Sequence, residues 1–123
     1  MKQESALLAE KVKDILDAKK GLDITSIDIS DMTVLADCFV VASGATVMHV
    51  RALADNVMEA LEAEGIKPVR EDGYEQGVWI VLDYGDVMVH LFRQEEREFY
   101  DLERLWLEEK NFAFHDNAMH GEE

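Results

Sequence analysis

Residues 77–92, GVWIVLDYGDVMVHLF, form two apolar runs of strand length joined by a short polar turn. Val, Ile and Trp favour a pleated, packed surface, and a glycine accepts the positive φ that a tight two-residue turn requires. The segment therefore predicts a β-hairpin with Tyr84 and Gly85 as its loop. That register places Asp83 opposite Asp86 and Trp79 opposite His90.

Alternation along the two predicted strands separates the side chains of the hairpin into two faces. One face is purely aliphatic and is expected to cover the core: Val78, Ile80, Leu82, Val87, Val89 and Leu91. The other face mixes aromatic, polar and acidic groups and is expected to be a contact surface: Trp79, Val81, Asp83, Asp86, Met88 and His90. A tryptophan buried in the core is the alternative that the sequence leaves open for Trp79.

Periodicity along the rest of the chain predicts a mixture of helices and strands. Thr46 is the expected N-cap of the second helix, and glycines are expected to end the first two helices at positions 21 and 65. Pro68 lacks a backbone donor, so the segment around it is at most an edge strand. The predicted elements are helix 5–20, strand 23–30, strand 37–43, helix 46–65, edge strand 66–69, hairpin 77–92 and a short acidic helix after residue 94.

A chain of 123 residues with 48% hydrophobic content is long enough for one domain with one core. The predicted fold class is a single α/β (α+β) domain, a mixed β-sheet packed with helices, at residues 1–106, with a tail at 107–123. Apolar runs stay well short of about twenty residues, and charges interrupt the N-terminal segment, so neither a membrane span nor a signal peptide is expected. A cytoplasmic location is therefore expected. The single cysteine, Cys38, cannot form an internal disulfide.

The chain is strongly acidic, with a formal net charge of −15. Residues 1–20 hold five lysines against four acidic residues, so residues 21–123 carry a net −16. Contact with phosphates needs clustered Lys and Arg, which argues against nucleic acid as a direct ligand. An acidic surface attracts a basic protein partner, although composition alone is equally compatible with acids that only keep the protein soluble.

The histidines do not follow a metal-ligand pattern. His49 and His90 are far apart in sequence, and neither has a second ligand at the i+2 or i+4 position. His115 and His120 lie in the predicted tail. The histidine spacing therefore predicts no metal site, and no cofactor or catalytic residue is expected either.

Several motifs together resemble the Iojap family of ribosomal silencing factors. They are ADCFVVASG at 36–44, His49, the hairpin with its D-Y-G-D-x-x-V-H pattern, Arg97, and FYDLERLW at 99–106. The resemblance covers roughly residues 7–106. It departs from the family at Cys38, where tyrosine is common, and at residues 45–47, where the family is more polar.

The resemblance implies a fold related to nucleotidyltransferases, without their activity. It also implies a translational repressor that binds ribosomal large-subunit protein fourteen on the intersubunit face and sterically blocks joining of the small subunit. The expected partner-binding residues are Trp79, Asp83, Tyr84, Asp86, Met88, His90, Arg97, Tyr100 and Trp106. The oligomeric state stays open, with a homodimer among the alternatives.

A small nucleotidyltransferase-like enzyme is the second hypothesis. Ser43 and Gly44 lie at a predicted strand-to-helix turn, which is where nucleotidyltransferases hold phosphate. Their metal chemistry also needs two carboxylates projecting together from a nearby strand. Asp83 and Asp86 flank the hairpin tip instead, and aspartates favour turns for reasons unrelated to catalysis. Paired carboxylates on a strand beside Ser43 would favour the enzyme.

Overall fold

The computed structural model describes residues 1–97 with their side chains, and residues 98–100 by their backbone. The predicted mixed α/β class is confirmed, whereas the tail and the second half of the terminal helix lie outside the described residues. No helix in the described part is long and apolar enough to cross a membrane. The elements are α1 Gln3–Ala18, β1 Leu22–Asp28, β2 Cys38–Gly44, α2 Val47–Glu62, β3 Arg70–Asp72, β4 Trp79–Asp83, β5 Val87–Arg93 and α3 Gln94–Tyr100.

The five strands form one mixed sheet in the order β1-β2-β5-β4-β3. The central strands β2 and β5 run parallel, and the other neighbouring pairs are antiparallel. A parallel pair needs a long crossover connection, and here the chain passes through α2, β3 and β4 between its two central strands. The β5 strand therefore lies inside the sheet, with β2 on one side and β4 on the other.

The main core lies between the sheet and the two long helices, α1 and α2. The aliphatic face of the hairpin points into it as predicted, except that Val78 is only half-buried. The predicted apolar stripe of α2 is also buried there. The buried members of the main core include Val12, Leu16, Val40, Val50, Leu53, Val57, Leu61, Ile80, Leu82, Val87, Val89 and Leu91.

A second, smaller cluster lies on the opposite side of the sheet. Its buried members are Ile29, Ala36, Phe39, Val41 and Phe92, and half-buried side chains pack around them: Ile27, Met32, Trp79 and Met88. We call the sheet face that carries Phe39, Met88, His90, Phe92 and Trp79 the Trp79 face. Both surfaces of the sheet therefore have apolar cover, which explains why β2 is buried along its whole length.

The hairpin register differs from the prediction by two residues. Trp79 pairs with Phe92 and Asp83 with Met88, and the Tyr84 N–H donates to the Val87 carbonyl at 2.9 Å. The loop is thus Gly85-Asp86, with φ of 88° at the first central position, the place of glycine in a type II′ turn. Since side chains alternate with a period of two, a shift of two leaves each one on its predicted face.

Helix ends and the edge strand show smaller differences. The α1 helix ends two residues early, and Lys20 rather than Gly21 takes the left-handed conformation, with φ of 65°. The Gly21 N–H then donates to the Leu16 carbonyl at 2.8 Å, which closes a Schellman motif. Thr46 is confirmed as the N-cap of α2, and its hydroxyl accepts from the His49 N–H at 3.1 Å. The edge strand β3 follows Pro68 instead of containing it.

Candidate partner-binding surface

Trp79 anchors the centre of the candidate surface. Its indole stacks on Phe92, with ring centroids 4.9 Å apart and planes inclined by 27°. Its Nε1–H donates to His90 Nδ1 at 3.1 Å. Because Nδ1 accepts this bond, the neutral imidazole carries its proton on Nε2. The bond and the stack together fix the orientation of the indole.

His90 supports Trp79 from inside the sheet and is only 5% exposed. The expectation that His90 belongs to an exposed patch is therefore wrong. The strand β5 is an interior strand, and the Phe39 ring packs edge-on against the imidazole, with ring centroids 4.4 Å apart. Burial lowers the pKa of His90 to about 4. Among the described residues, none gives Nε2 a hydrogen-bond partner. His90 can hold Trp79 in place, but it does not reach a partner directly.

The buried imidazole predicts a pH-dependent stability. The pKa of His90 is about 4 in the folded chain and near 6.5 in the unfolded chain. The neutral imidazole therefore contributes its full stabilisation above about pH 6.5, and this stabilisation is lost as the pH falls toward about 4. Linkage with these two values gives a loss of about 2 kcal/mol by about pH 5. Urea unfolding at about pH 7.5 and about pH 5 measures this loss.

The control for this prediction is His90→Gln, which keeps an acceptor for Trp79 and does not titrate. Acidic side chains also titrate near pH 4, and they contribute equally to both proteins. We expect the variant to lose about 2 kcal/mol less stability than the wild type between the two pH values. Equal losses would contradict the burial of a neutral His90.

Trp79 and Met88 are the half-buried members of the surface. Each packs against the second cluster with one side of the side chain and is partly open to solvent on the other. Asp83 lies on the same face, and its carboxylate accepts from the Gly85 N–H at 2.8 Å. Trp79, Met88 and Asp83 therefore lie on one face of the sheet, with Asp83 opposite Met88 and Trp79 opposite Phe92. Trp79 is both a core residue and a surface residue, which were the two alternatives left open by the sequence.

The hairpin tip is directed toward the other side of the sheet. Tyr84 packs against the main core, and its buried hydroxyl has no hydrogen-bond partner among the described residues. Burial, with a smaller contribution from the charge of Glu71, raises the pKa of Tyr84 to about 12. The exposed Asp86 carboxylate lies 2.8 Å from Lys2 Nζ. Asp83 and Asp86 do not face each other, so the predicted cross-strand carboxylate pair is wrong.

Arg97 joins α3 to the β1–β2 side of the sheet. Its guanidinium donates to Ser43 Oγ and to the Asp23 carbonyl, both at 2.8 Å. Through these bonds Arg97 stabilises the fold near the Trp79 face. Tyr100 ends α3, and its side chain is outside the described part, as is Trp106.

The turn at Ser43, where an enzyme would hold phosphate, is occupied by the protein's own groups. The Ala45 N–H donates to His49 Nδ1 at 3.1 Å, so the Nε2–H of that ring donates to the Lys19 carbonyl at 3.2 Å. Ser43 is buried, and its hydroxyl accepts from Arg97. His49 thus ties the start of α2 to the end of α1.

The carboxylates that the enzyme hypothesis needs do not lie opposite this turn. The residues paired with Ser43 on the two neighbouring strands are Leu22 and Phe92. Within residues 1–97, no three His, Cys, Asp or Glu side chains are placed to hold a metal ion. In the described part of the chain, the Ser43 turn is therefore filled, and no pair of carboxylates faces it.

Three features of the surface were missed by the sequence reading. Phe92 continues the alternation of β5 by one step, so the strand period could have identified it. Phe39 lies beside His90 only because β2 pairs with β5, which no local pattern reveals. Residues 31–36 were assigned to no element and Ile29 to a half-exposed strand, yet Ile29 and Ala36 are both buried in the second cluster.

The fold and this surface define a class of protein: a mixed α/β domain whose sheet carries a half-buried aromatic face. A family model described as "Ribosomal silencing factor during starvation" matches residues 2–122. The chain belongs to this family of ribosomal silencing factors. The resemblance found in the sequence motifs is thereby confirmed.

Individual relatives agree with the family match. A ribosomal silencing factor of Chromobacterium violaceum is 39% identical over 102 residues, which cover 83% of this chain and 80% of that protein. A crystal structure of a Chromobacterium violaceum protein superimposes with a TM-score of 0.76 at 38% identity, covering 86% of this chain and 87% of that one. A mouse protein named "Mitochondrial assembly of ribosomal large subunit protein 1" is 28% identical over 95 residues, covering 75% of this chain and 42% of its own.

Proposed function

We propose that this protein represses translation in the cytoplasm by binding ribosomal large-subunit protein fourteen on the intersubunit face. A bound copy sterically blocks joining of the small subunit. The observation that carries the proposal is the match to the silencing-factor family over residues 2–122. The name of the mouse relative refers to the ribosomal large subunit, which supports that subunit as the target.

The Trp79 face supplies a physical basis for docking. A half-buried tryptophan and a half-buried methionine on one face of the sheet are typical of interface centres, where aromatic side chains and Met are enriched. The indole is held in one orientation by His90 and Phe92, so little conformational entropy is lost when a partner binds it. The net charge of −15 is complementary to a basic ribosomal protein.

The predicted site residues take different parts in this proposal. Trp79, Met88 and Asp83 are proposed as direct contacts. His90 and Arg97 are proposed to support the surface from within the fold. Asp86 is proposed to contact the partner at the hairpin tip, and Tyr84 is proposed to support that tip from the main core. Tyr100 and Trp106 are proposed to extend the surface beyond the described residues. One copy is a sufficient obstacle, so the proposal does not require a homodimer.

Sedimentation with separated ribosomal subunits tests the proposal. The protein is expected to travel with large subunits and not with small subunits, and to bind isolated large-subunit protein fourteen in a pull-down. Binding to the isolated protein separates recognition of a protein surface from recognition of RNA. Sedimentation with small subunits, or with neither subunit, would contradict the proposed target.

The enzyme hypothesis predicts turnover in a nucleotide assay, and the repressor proposal predicts none. Since the Ser43 turn is filled by His49 and Arg97, we expect no hydrolysis or transfer when the protein is incubated with labelled nucleoside triphosphates and magnesium. The comparison is a reaction without protein. Turnover above that background, if abolished by Asp83→Asn, would replace the repressor proposal with the enzyme.

A further inference from the structure

The loop that joins β1 to β2 has a defined shape. We call residues 29–37 the β1–β2 loop; it is closed at its base by a hydrogen bond from the Ile29 N–H to the Asp37 carbonyl at 2.9 Å. The Ile29 carbonyl accepts from the Met32 N–H at 2.9 Å, and Thr33 Oγ1 accepts from the Leu35 N–H at 3.0 Å. These bonds hold the loop tip in one conformation.

Apolar side chains of the loop point in two directions. Ile29 and Ala36 are buried in the second cluster, and Met32 packs against that cluster together with Trp79 and Met88. The loop tip points away from it: Val34 is 100% exposed and Leu35 is 82% exposed. Single exposed apolar residues need no explanation. An adjacent exposed pair, on a loop that packs against the second cluster, is a candidate interaction site.

The charge around the loop identifies the kind of partner. Asp28, Asp31 and Asp37 lie on the loop or at its base, and the loop itself contains no lysine or arginine. The N-terminal ammonium lies 3.8 Å from the Asp28 carboxylate, and the Lys2 N–H donates to Asp37 at 3.3 Å, so part of this negative charge is balanced within the chain. An apolar tip in such surroundings is complementary to an apolar patch bordered by Lys and Arg on a protein. The phosphates of RNA would be repelled by the same aspartates.

We propose that Val34 and Leu35 form a second docking element, which inserts into an apolar patch bordered by basic residues on the ribosomal protein that the Trp79 face contacts. This inference rests on the proposed function and adds a contact that the hairpin does not supply. It assigns the β1–β2 loop to the interface because Met32 of the loop packs against the same cluster as Trp79 and Met88.

A matched pair of double variants tests the docking element. Val34→Ser with Leu35→Gln removes the exposed tip, and Val69→Ser with Leu7→Gln removes the same residue types elsewhere, at positions 77% and 62% exposed. We expect the loop variant to bind isolated large subunits about tenfold more weakly and the control to bind like the wild type. The melting curves of both should stay near that of the wild type, because the replaced side chains are exposed.

The outcomes separate this inference from the proposed function. If both double variants bind like the wild type while Trp79→Ala loses binding, the docking element is wrong and the proposed function stands. Equal weakening in both double variants would also overturn the docking element. If the wild type itself fails to bind large subunits, the proposed function and the docking element both fall.

A charge exchange at Val34 tests the chemistry of the partner. Val34→Glu and Val34→Lys lose the same apolar contact and differ in the sign of the added charge. Next to basic residues, the lysine variant should associate with large subunits several-fold more slowly than the glutamate variant. Tighter or faster binding by the lysine variant would indicate RNA as the neighbour and would overturn the inference.

Discussion

Replacing Trp79 with alanine is expected to weaken binding to large ribosomal subunits by about thirtyfold or more, because a tryptophan at an interface centre commonly contributes about 2 kcal/mol. The same change should also lower the free energy of unfolding by about 2 kcal/mol. The indole stacks on Phe92 and donates to His90, and both contacts are lost. A fully exposed Trp79 would leave the melting curve unchanged, whereas the half-buried position predicts a loss of stability.

A second variant separates the loss of contact from the loss of stability. Phe92 is fully buried beneath the indole, so Phe92→Leu should destabilise the fold while leaving Trp79 at the surface. Binding is measured well below the melting temperature of each variant. We expect Phe92→Leu to bind within a few-fold of the wild type. If both variants lose binding in proportion to their stability, Trp79 is a core residue and the docking surface lies elsewhere.

Gly73→Ala is expected to destabilise the protein by about 4 kcal/mol or more. Gly73 has φ of 83°, and a Cβ there would lie 2.1 Å from the carbonyl oxygen of Trp79. Relief of that overlap requires movement of the backbone of β4, at the residue that anchors the candidate surface. Arg51 holds the same segment by donating to the Tyr74 carbonyl at 3.0 Å, so the segment has little freedom to adjust.

Gly65→Ala is the matched control for this substitution. Gly65 has nearly the same φ, 80°, but a Cβ there would meet nothing within 4 Å. The Gly65→Ala substitution should lower the free energy of unfolding only by the strain of a left-handed alanine, about 1–2 kcal/mol. Urea unfolding of the two variants side by side compares them directly. Equal destabilisation would show that the contact with the Trp79 carbonyl has no energetic consequence.

The hairpin illustrates what the sequence could and could not predict. The two faces of the hairpin follow from the alternation of side chains. They were predicted correctly although the register was not, because the register differs by two residues and side chains alternate with the same period. The register was misplaced because a glycine can occupy either central position of a two-residue turn. Gly85 takes the first of them, with its N–H on the Asp83 carboxylate. The local sequence does not distinguish these two turns.

Other differences come from contacts between distant parts of the chain. His90 is buried because Phe39, about fifty residues earlier, lies on the strand beside it. Arg97 reaches Ser43 only because α3 returns toward the end of β2. Val34 and Leu35 were assigned to no predicted element, since nothing local shows that Ile29 and Ala36 fix the loop on the sheet. Local patterns identified the elements, and tertiary pairing determined which side chains stay accessible.

Light scattering of ribosomal subunit joining tests the proposed repression most directly. Large subunits are first incubated with the protein and then mixed with small subunits, and the amplitude and rate of joining are recorded. We expect joining to be progressively suppressed and to reach its minimum when the large subunits are saturated. Trp79→Ala should require about thirtyfold more protein for the same effect. Joining at the full rate and amplitude with large subunits that are demonstrably saturated would contradict steric repression by this protein.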